Sequence, residues 1–126
     1  MESRFNFRAW NGSRMLFCRK NEYGFVVHGG EVWEIVDDIE YKKDYPLMQC
    51  TGLKDKNGKD IYEGDIITGV LPKEQYRLGT MGEVKYSNNL SSFVSRNEAG
   101  DTLIFKISGI EIIGNIYENG DLLNDN

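Results

Sequence analysis

With 126 residues the chain has the size of one domain, and its 40% apolar and 28% charged residues exclude disorder. The net charge of −5 sets the molecule as a whole against phosphate backbones. Two cysteines, Cys18 and Cys50, are too few for a disulfide framework. No apolar run approaches the roughly 20 residues that span a membrane, and Arg4, Arg8 and Arg14 interrupt any signal-peptide core. The expected compartment is the reducing cytoplasm, with free thiols.

In chain order, Phe5, Phe7 and Ala9 alternate with Arg4, Asn6 and Arg8. Period two predicts a strand with Phe5 and Phe7 inward and the arginines on a wet face. Asn11-Gly12 signals a hairpin, because a type I′ turn needs positive φ at both central residues, and Met15 to Cys18 returns as its second strand. Gly24 to His28 and Val32 to Val36 read as a strand pair around Gly29-Gly30. The charged stretch Asp37 to Tyr45 fits a short helix or a loop, and Pro46 then punctuates the chain.

Leu47 to Leu53 reads as extended, followed by turns at Asn57-Gly58 and Glu63-Gly64-Asp65 with Ile61, Ile66 and Ile67 around them. Val70 to Thr80 reads as a loop. Gly82 to Tyr86, Phe93 to Arg96, Leu103 to Ile107 and Ile110 to Tyr117 read as strands, with Gly114 marking a bulge or a close backbone approach. About eight or nine short strands in a chain with 14 glycines and two prolines point to a small barrel or sandwich. A soft subdivision near Pro46 falls within a single domain spanning 1–126.

Charge is uneven. Residues 1–20 hold five bases against one acid, +4, and residues 21–45 hold seven acids against two lysines, −5. The basic end can meet a polyanion or pair with the protein's own acids.

Each constellation that might carry chemistry fails on its spacing. Asp55, Asn57 and Asp60 suggest a calcium loop, which needs oxygen ligands at positions 1, 3 and 5, Gly at 6 and Glu at 12. Counted from Asp55, position 4 is Gly58, 5 is Lys59, 6 is Asp60 and 12 is Ile66. Cys18, His28 and Cys50 fall short of the four ligands of structural zinc, and no nucleophile turn surrounds either cysteine beside His28. No glycine pattern cradles phosphate. The expectation is a noncatalytic protein with no metal and no cofactor. Surface is what remains. Arg4, Arg8 and Trp10 form a candidate for stacking and charge contact with single-stranded nucleic acid. Asp37, Asp38 and Glu40 centre the acidic stretch 31–44, which is either a solvated face or a surface for a basic protein.

Three segments resemble the YopX family: Phe7-Arg8-Ala9-Trp10 followed by Met15; Leu47-Met48-Gln49-Cys50-Thr51-Gly52-Leu53-Lys54-Asp55-Lys56-Asn57-Gly58-Lys59-Asp60-Ile61-Tyr62-Glu63-Gly64-Asp65-Ile66-Ile67; and Ile112-Ile113-Gly114-Asn115-Ile116-Tyr117-Glu118-Asn119. The resemblance implies a phage or prophage origin in a bacterial host and a mainly β fold, a small SH3-like barrel or roll with additional N-terminal hairpin strands. It implies no catalytic residues. Within the central segment, Tyr62 either caps the barrel or stays exposed for a ligand. The expected role is a protein-binding accessory module, able to self-associate through sheet edges; a nucleic-acid-binding small barrel is the alternative.

Overall fold

The computed structural model describes residues 6–18, 25–29, 31–72 and 77–123, apart from the side chains of Cys18 and His28. Arg4 and Phe5, expected at the basic strand, lie outside them. Among the described residues the chain is mainly β. It runs β1 Phe7–Trp10, β2 Met15–Cys18, β3 Phe25–His28, β4 Glu31–Val36, β5 Ile39–Lys43, β6 Leu47–Lys54, β7 Asp60–Tyr62, β8 Asp65–Pro72, β9 Arg77–Ser87, β10 Ser92–Asn97, β11 Gly100–Leu103 and β12 Ser108–Asn115. All pairings are antiparallel, in three sheets ordered β2-β1-β6-β7, β3-β4-β5 and β11-β10-β9-β8-β12.

Two apolar clusters hold the sheets. Ile61, Ile67, Val84, Ile104 and Ile107 form one under the five-stranded sheet. Ala9, Leu16, Phe25 and Val32 form the other, between the four- and three-stranded sheets. Each fully buried aliphatic side chain contributes about 1.5–3 kcal/mol. β1 also crosses the Pro46 position: it pairs with β6 from Phe7↔Gln49 to Ala9↔Leu47, and the Trp10 N–H donates to the Pro46 carbonyl at 3.2 Å.

Several local expectations are corrected. The stretch after Asp37 is neither helix nor loop. Asp37 and Asp38 take φ of 51° and 64°, and this two-residue turn returns the chain as β5, with Val36 opposite Ile39. Aspartate tolerates left-handed backbone because its short side chain bonds locally, and Ile39, Glu40, Tyr41 and Lys42 alternate with strand period. The span 70–80 is mostly hairpin, with β8 and β9 paired out to Pro72↔Arg77 and only residues 73–76 outside the described set. The Asn11-Gly12 hairpin forms with a four-residue connection instead of a tight turn. The Asn11 Oδ1 accepts from the N–H groups of Ser13 and Arg14 at 2.8 and 2.9 Å, and this local bond competes with the I′ geometry.

The strand expected over 103–107 ends at Leu103, where a 3₁₀ turn over Ile104–Lys106 takes over. Three-residue spacing buries Ile104 and Ile107 together and leaves Phe105 67% exposed. At Gly114 both expectations hold. The register slips between Ile112 and Gly114, and a Cβ there would lie 2.6 Å from the Asn119 Oδ1.

Candidate functional site

The face of β1 expected to be wet is buried. Arg8 is 5% exposed and reaches across the sheet to the Glu63-Gly64-Asp65 turn. Its Nη2 donates to the Asp65 Oδ1 at 2.8 Å and to the Glu63 carbonyl at 3.0 Å. The Tyr62 N–H donates to the other Asp65 oxygen at 2.8 Å, and the guanidinium carbon sits 4.8 Å from the Tyr62 ring centre. Burial pushes the Asp65 carboxyl above its ordinary value, against the opposing pull of Arg8 and the Tyr62 N–H. Among the described residues the buried Arg8 Nε has no hydrogen-bond partner.

Gly64 makes this arrangement possible. Its φ is +87°, and a Cβ would sit 3.0 Å from the Met48 sulfur, so a side chain is disfavoured both by backbone and by space. The Gly64 N–H donates to the Val84 carbonyl, and its carbonyl accepts from the Ile116 N–H, both at 2.9 Å. Trp10 stacks on Tyr117 with ring centres 5.5 Å apart and planes 14° from parallel. The three sequence segments singled out above therefore meet around one buried ion pair.

Beside that pair lies an open cleft of about 580 Å³, lined by Arg8, Tyr62 and Asp65 together with Phe17, Lys59 and Asn115, among others. Both oxygens of Asp65 in its lining already accept hydrogen bonds within the fold. Asp55 is occupied in the same way. It accepts from the N–H groups of Asn57 and Lys59 through Oδ1 and from that of Ile112 through Oδ2. Burial alone would raise the Asp55 carboxyl, but these three donors hold it below its ordinary value. The calcium-like loop is thus a tie between the 55–59 turn and β12. Among the described residues no cluster of three or more His, Cys, Asp or Glu side chains could hold a metal.

A second feature stands away from the cleft. On β4 and β5, Val32, Glu34, Val36, Ile39, Tyr41 and Lys43 share one face, as their register requires. At the base of the hairpin this face is core, with Val32 4% exposed. Towards the tip, past Glu34, its apolar side chains are exposed among the described residues: Val36, Ile39 and Tyr41 are 47%, 53% and 47% exposed. The tip carries Asp37, Asp38 and Glu40, all exposed. The lysines stand nearer the base, and Lys42 meets Glu31 at 3.3 Å. The Tyr45 hydroxyl donates to Glu34 at 2.8 Å, a bond that raises the tyrosine's pKa.

The candidate residues thus separate. Arg8 is interior, which corrects its placement on a nucleic-acid face; the reason is that the Glu63 and Asp65 acceptors and the Tyr62 ring compensate its charge out of water. Trp10 is half-buried against Tyr117, and Tyr62 is 2% exposed, so it belongs to the interior and not to a ligand surface. Asp37, Asp38 and Glu40 share an exposed hairpin tip. Sequence reasoning missed Asp65, since nothing in a turn motif marks an ion-pair partner 57 residues from Arg8. It also missed Val36, Ile39 and Tyr41, although their alternation with charged neighbours was a visible signal.

Fold and site together define a mainly β domain knitted by a buried arginine–aspartate pair, with an acidic hairpin projecting from it. The chain belongs to the YopX family: the family model described as YopX protein matches residues 6–124. Among solved structures it is similar to protein YopX from Bacillus subtilis, at 22% identity and a TM-score of 0.64 over 98% of this chain and 99% of that one. It is also similar to protein EF1440 from Enterococcus faecalis, at 29% identity and a TM-score of 0.55 over 94% and 96% of the two chains. No curated protein matches it.

Proposed function

We propose that this protein is a noncatalytic protein-binding module of a phage or prophage, working in the bacterial cytoplasm, and that the tip of the β4–β5 hairpin is its docking element. The observation that carries this is the exposed apolar trio Val36, Ile39 and Tyr41 on one face of a hairpin tip whose turn is Asp37 and Asp38, with Glu40 on the other face. Such a surface suits a polypeptide segment in which basic residues alternate with apolar ones. Its apolar part supplies affinity, and its carboxylates supply steering and register. The noncatalytic character is supported by the commitment of both Asp65 oxygens and of Asp55 to hydrogen bonds within the fold. Among the described residues no helix is long and apolar enough to cross a membrane. The nucleic-acid alternative loses support, because Arg8 is buried in an ion pair and one face of Trp10 is occupied by Tyr117.

The test compares two baits in lysates of induced host cells: the wild type and the triple variant Asp37→Asn, Asp38→Gly, Ile39→Thr. Asn-Gly keeps the turn's positive φ and threonine keeps strand propensity, so the variant alters the surface and leaves the hairpin in place. A protein retained by the wild type, weakened by salt and lost with the variant supports the proposal. Equal retention by both baits overturns the docking element. Retention of nucleic acid alone, falling steeply with salt, favours the alternative.

A further inference from the structure

The cleft beside the Arg8–Asp65 pair is bounded by the 55–59 turn and β7, and by the end of β12 with the turn that follows it. Its volume of about 580 Å³ is that of a small-molecule site. Five charged side chains stand in its lining among the described residues, and three are already matched. Arg8 meets Asp65 at 2.8 Å, and Asp60 meets Lys54 at 2.7 Å. Lys59 and Glu118 remain, one of each sign, and neither makes an ion pair among the described residues. The Lys59 charge helps to hold the Asp55 carboxyl low, but its ammonium group is bonded to no carboxylate there.

The uncharged polar groups of the lining have donors to spare. Asn115 Oδ1 accepts from the N–H groups of Tyr117 and Glu118 at 3.0 and 2.9 Å, and Asn119 Oδ1 accepts from that of Asn115 at 3.2 Å. A backbone N–H only donates, so the oxygen of each carboxamide is fixed on the backbone side and each NH₂ group is left over. Gly114 provides the space in which the Asn119 carboxamide lies against β12. Arg8 Nε, in a side chain 6% exposed, is a further donor with no partner among the described residues. Apolar surface completes the lining. The Phe17 and Tyr62 rings meet edge to face with centres 5.7 Å apart, and Ile113 is 37% exposed.

We propose that this cleft binds a free α-amino acid with an apolar side chain. The two charges of such a ligand are one carbon apart. Its carboxylate takes Lys59 and the spare amide donors, its ammonium takes Glu118, and its side chain lies against Phe17 and Ile113. The two free charges stand on turns that the fold already fixes. Asp55 accepts from the Lys59 N–H and, through its other oxygen, from Ile112 on β12; Asn115, at the end of the same strand, accepts from the Glu118 N–H. Ordering that is complete before the ligand arrives lowers the cost of binding it. The described lining residues include none from β4 or β5, so this site is independent of the docking element proposed above.

The experiment is an amide NMR titration of the purified protein with L-phenylalanine, with hydrocinnamate, which lacks the ammonium, and with phenethylamine, which lacks the carboxylate. L-phenylalanine is expected to saturate at about 1 mM or tighter and to shift the signals of Lys59, Asn115 and Glu118. Each half-ligand forfeits a charge-assisted contact and is expected to bind about tenfold more weakly. In Lys59→Gln, L-phenylalanine should bind no better than phenethylamine; in Glu118→Gln, no better than hydrocinnamate. Both positions are exposed, and circular dichroism melts check that both variants remain folded. No saturation by about 20 mM L-phenylalanine overturns the proposal. So do shifts confined to residues outside the cleft, half-ligands that bind as well as the zwitterion, or variants that keep the wild-type preference. Protein capture by the hairpin tip moves none of these signals, so either reading can fail alone.

Discussion

Replacing Asp65 with leucine keeps the branched shape of the side chain and leaves the Arg8 guanidinium charged, buried and without its counter-ion. Removing one member of a buried ion pair costs about 3–5 kcal/mol. The Tyr62 N–H, which donates to Asp65 at 2.8 Å, would lose its acceptor as well, a loss of about 1–3 kcal/mol for a buried donor. Against a typical total of about 5–15 kcal/mol, the variant is expected to lose about a quarter of its stability or more. Urea denaturation followed by circular dichroism reads this as a midpoint lower by about 2–4 M, for a slope near 2 kcal/mol/M.

Arg8→Met is expected to behave differently with pH. It strands a carboxylate, and a carboxylate can take up a proton. Burial already raises the Asp65 pKa above 3.8, and removing the arginine removes one of the groups holding it down. A folded pKa above the unfolded one means that the native state binds more protons, so stability falls as pH rises through that window. The deficit of Arg8→Met relative to wild type should therefore be largest near neutrality and shrink as pH falls towards 3.8. The double variant Arg8→Met, Asp65→Leu should cost less than the two single costs added, because no charge is left unpaired. Single costs below about 1 kcal/mol, or strict additivity in the double variant, would refute the assignment of this pair as the structural knot.

Three further outcomes are expected. Gly114→Ala places a methyl 2.6 Å from the Asn119 Oδ1 and should cost about 1–3 kcal/mol by overpacking, seen as a lower thermal midpoint. Trp10→Ala and Tyr117→Ala should show a coupling of about 0.5–1.5 kcal/mol in a double-mutant cycle if the ring stack contributes beyond its buried area. Asp55→Asn should destabilise at neutral pH, because the nitrogen replacing one carboxylate oxygen cannot serve the N–H groups that both oxygens now serve. The folded Asp55 pKa lies below 3.8, so the stability its charge provides is present above that value and lost as pH falls through the folded pKa. The gap between wild type and Asp55→Asn in urea midpoints should accordingly narrow below 3.8.

The sequence by itself determined the class of structure. Short period-two segments divided by glycine and asparagine turns force a mainly β chain, because local propensity and turn chemistry act over a few residues. The turns at Gly58 and Gly64 and the bulge at Gly114 were legible for that reason, as was the acidic stretch around Asp37 and Asp38. Tertiary structure decided the rest. Arg8 obeys the period of its strand yet is buried, since the layer above it supplies Asp65 from 57 residues away. The Asp37 to Lys43 stretch became an edge hairpin because Val32, at the base of β4, has a core to pack against and Val36, Ile39 and Tyr41 at the tip do not. Patterning tells which residues share a face. Whether that face meets another layer or water depends on contacts between segments remote in sequence, and these decide which charges are buried in the fold and which stay at the surface.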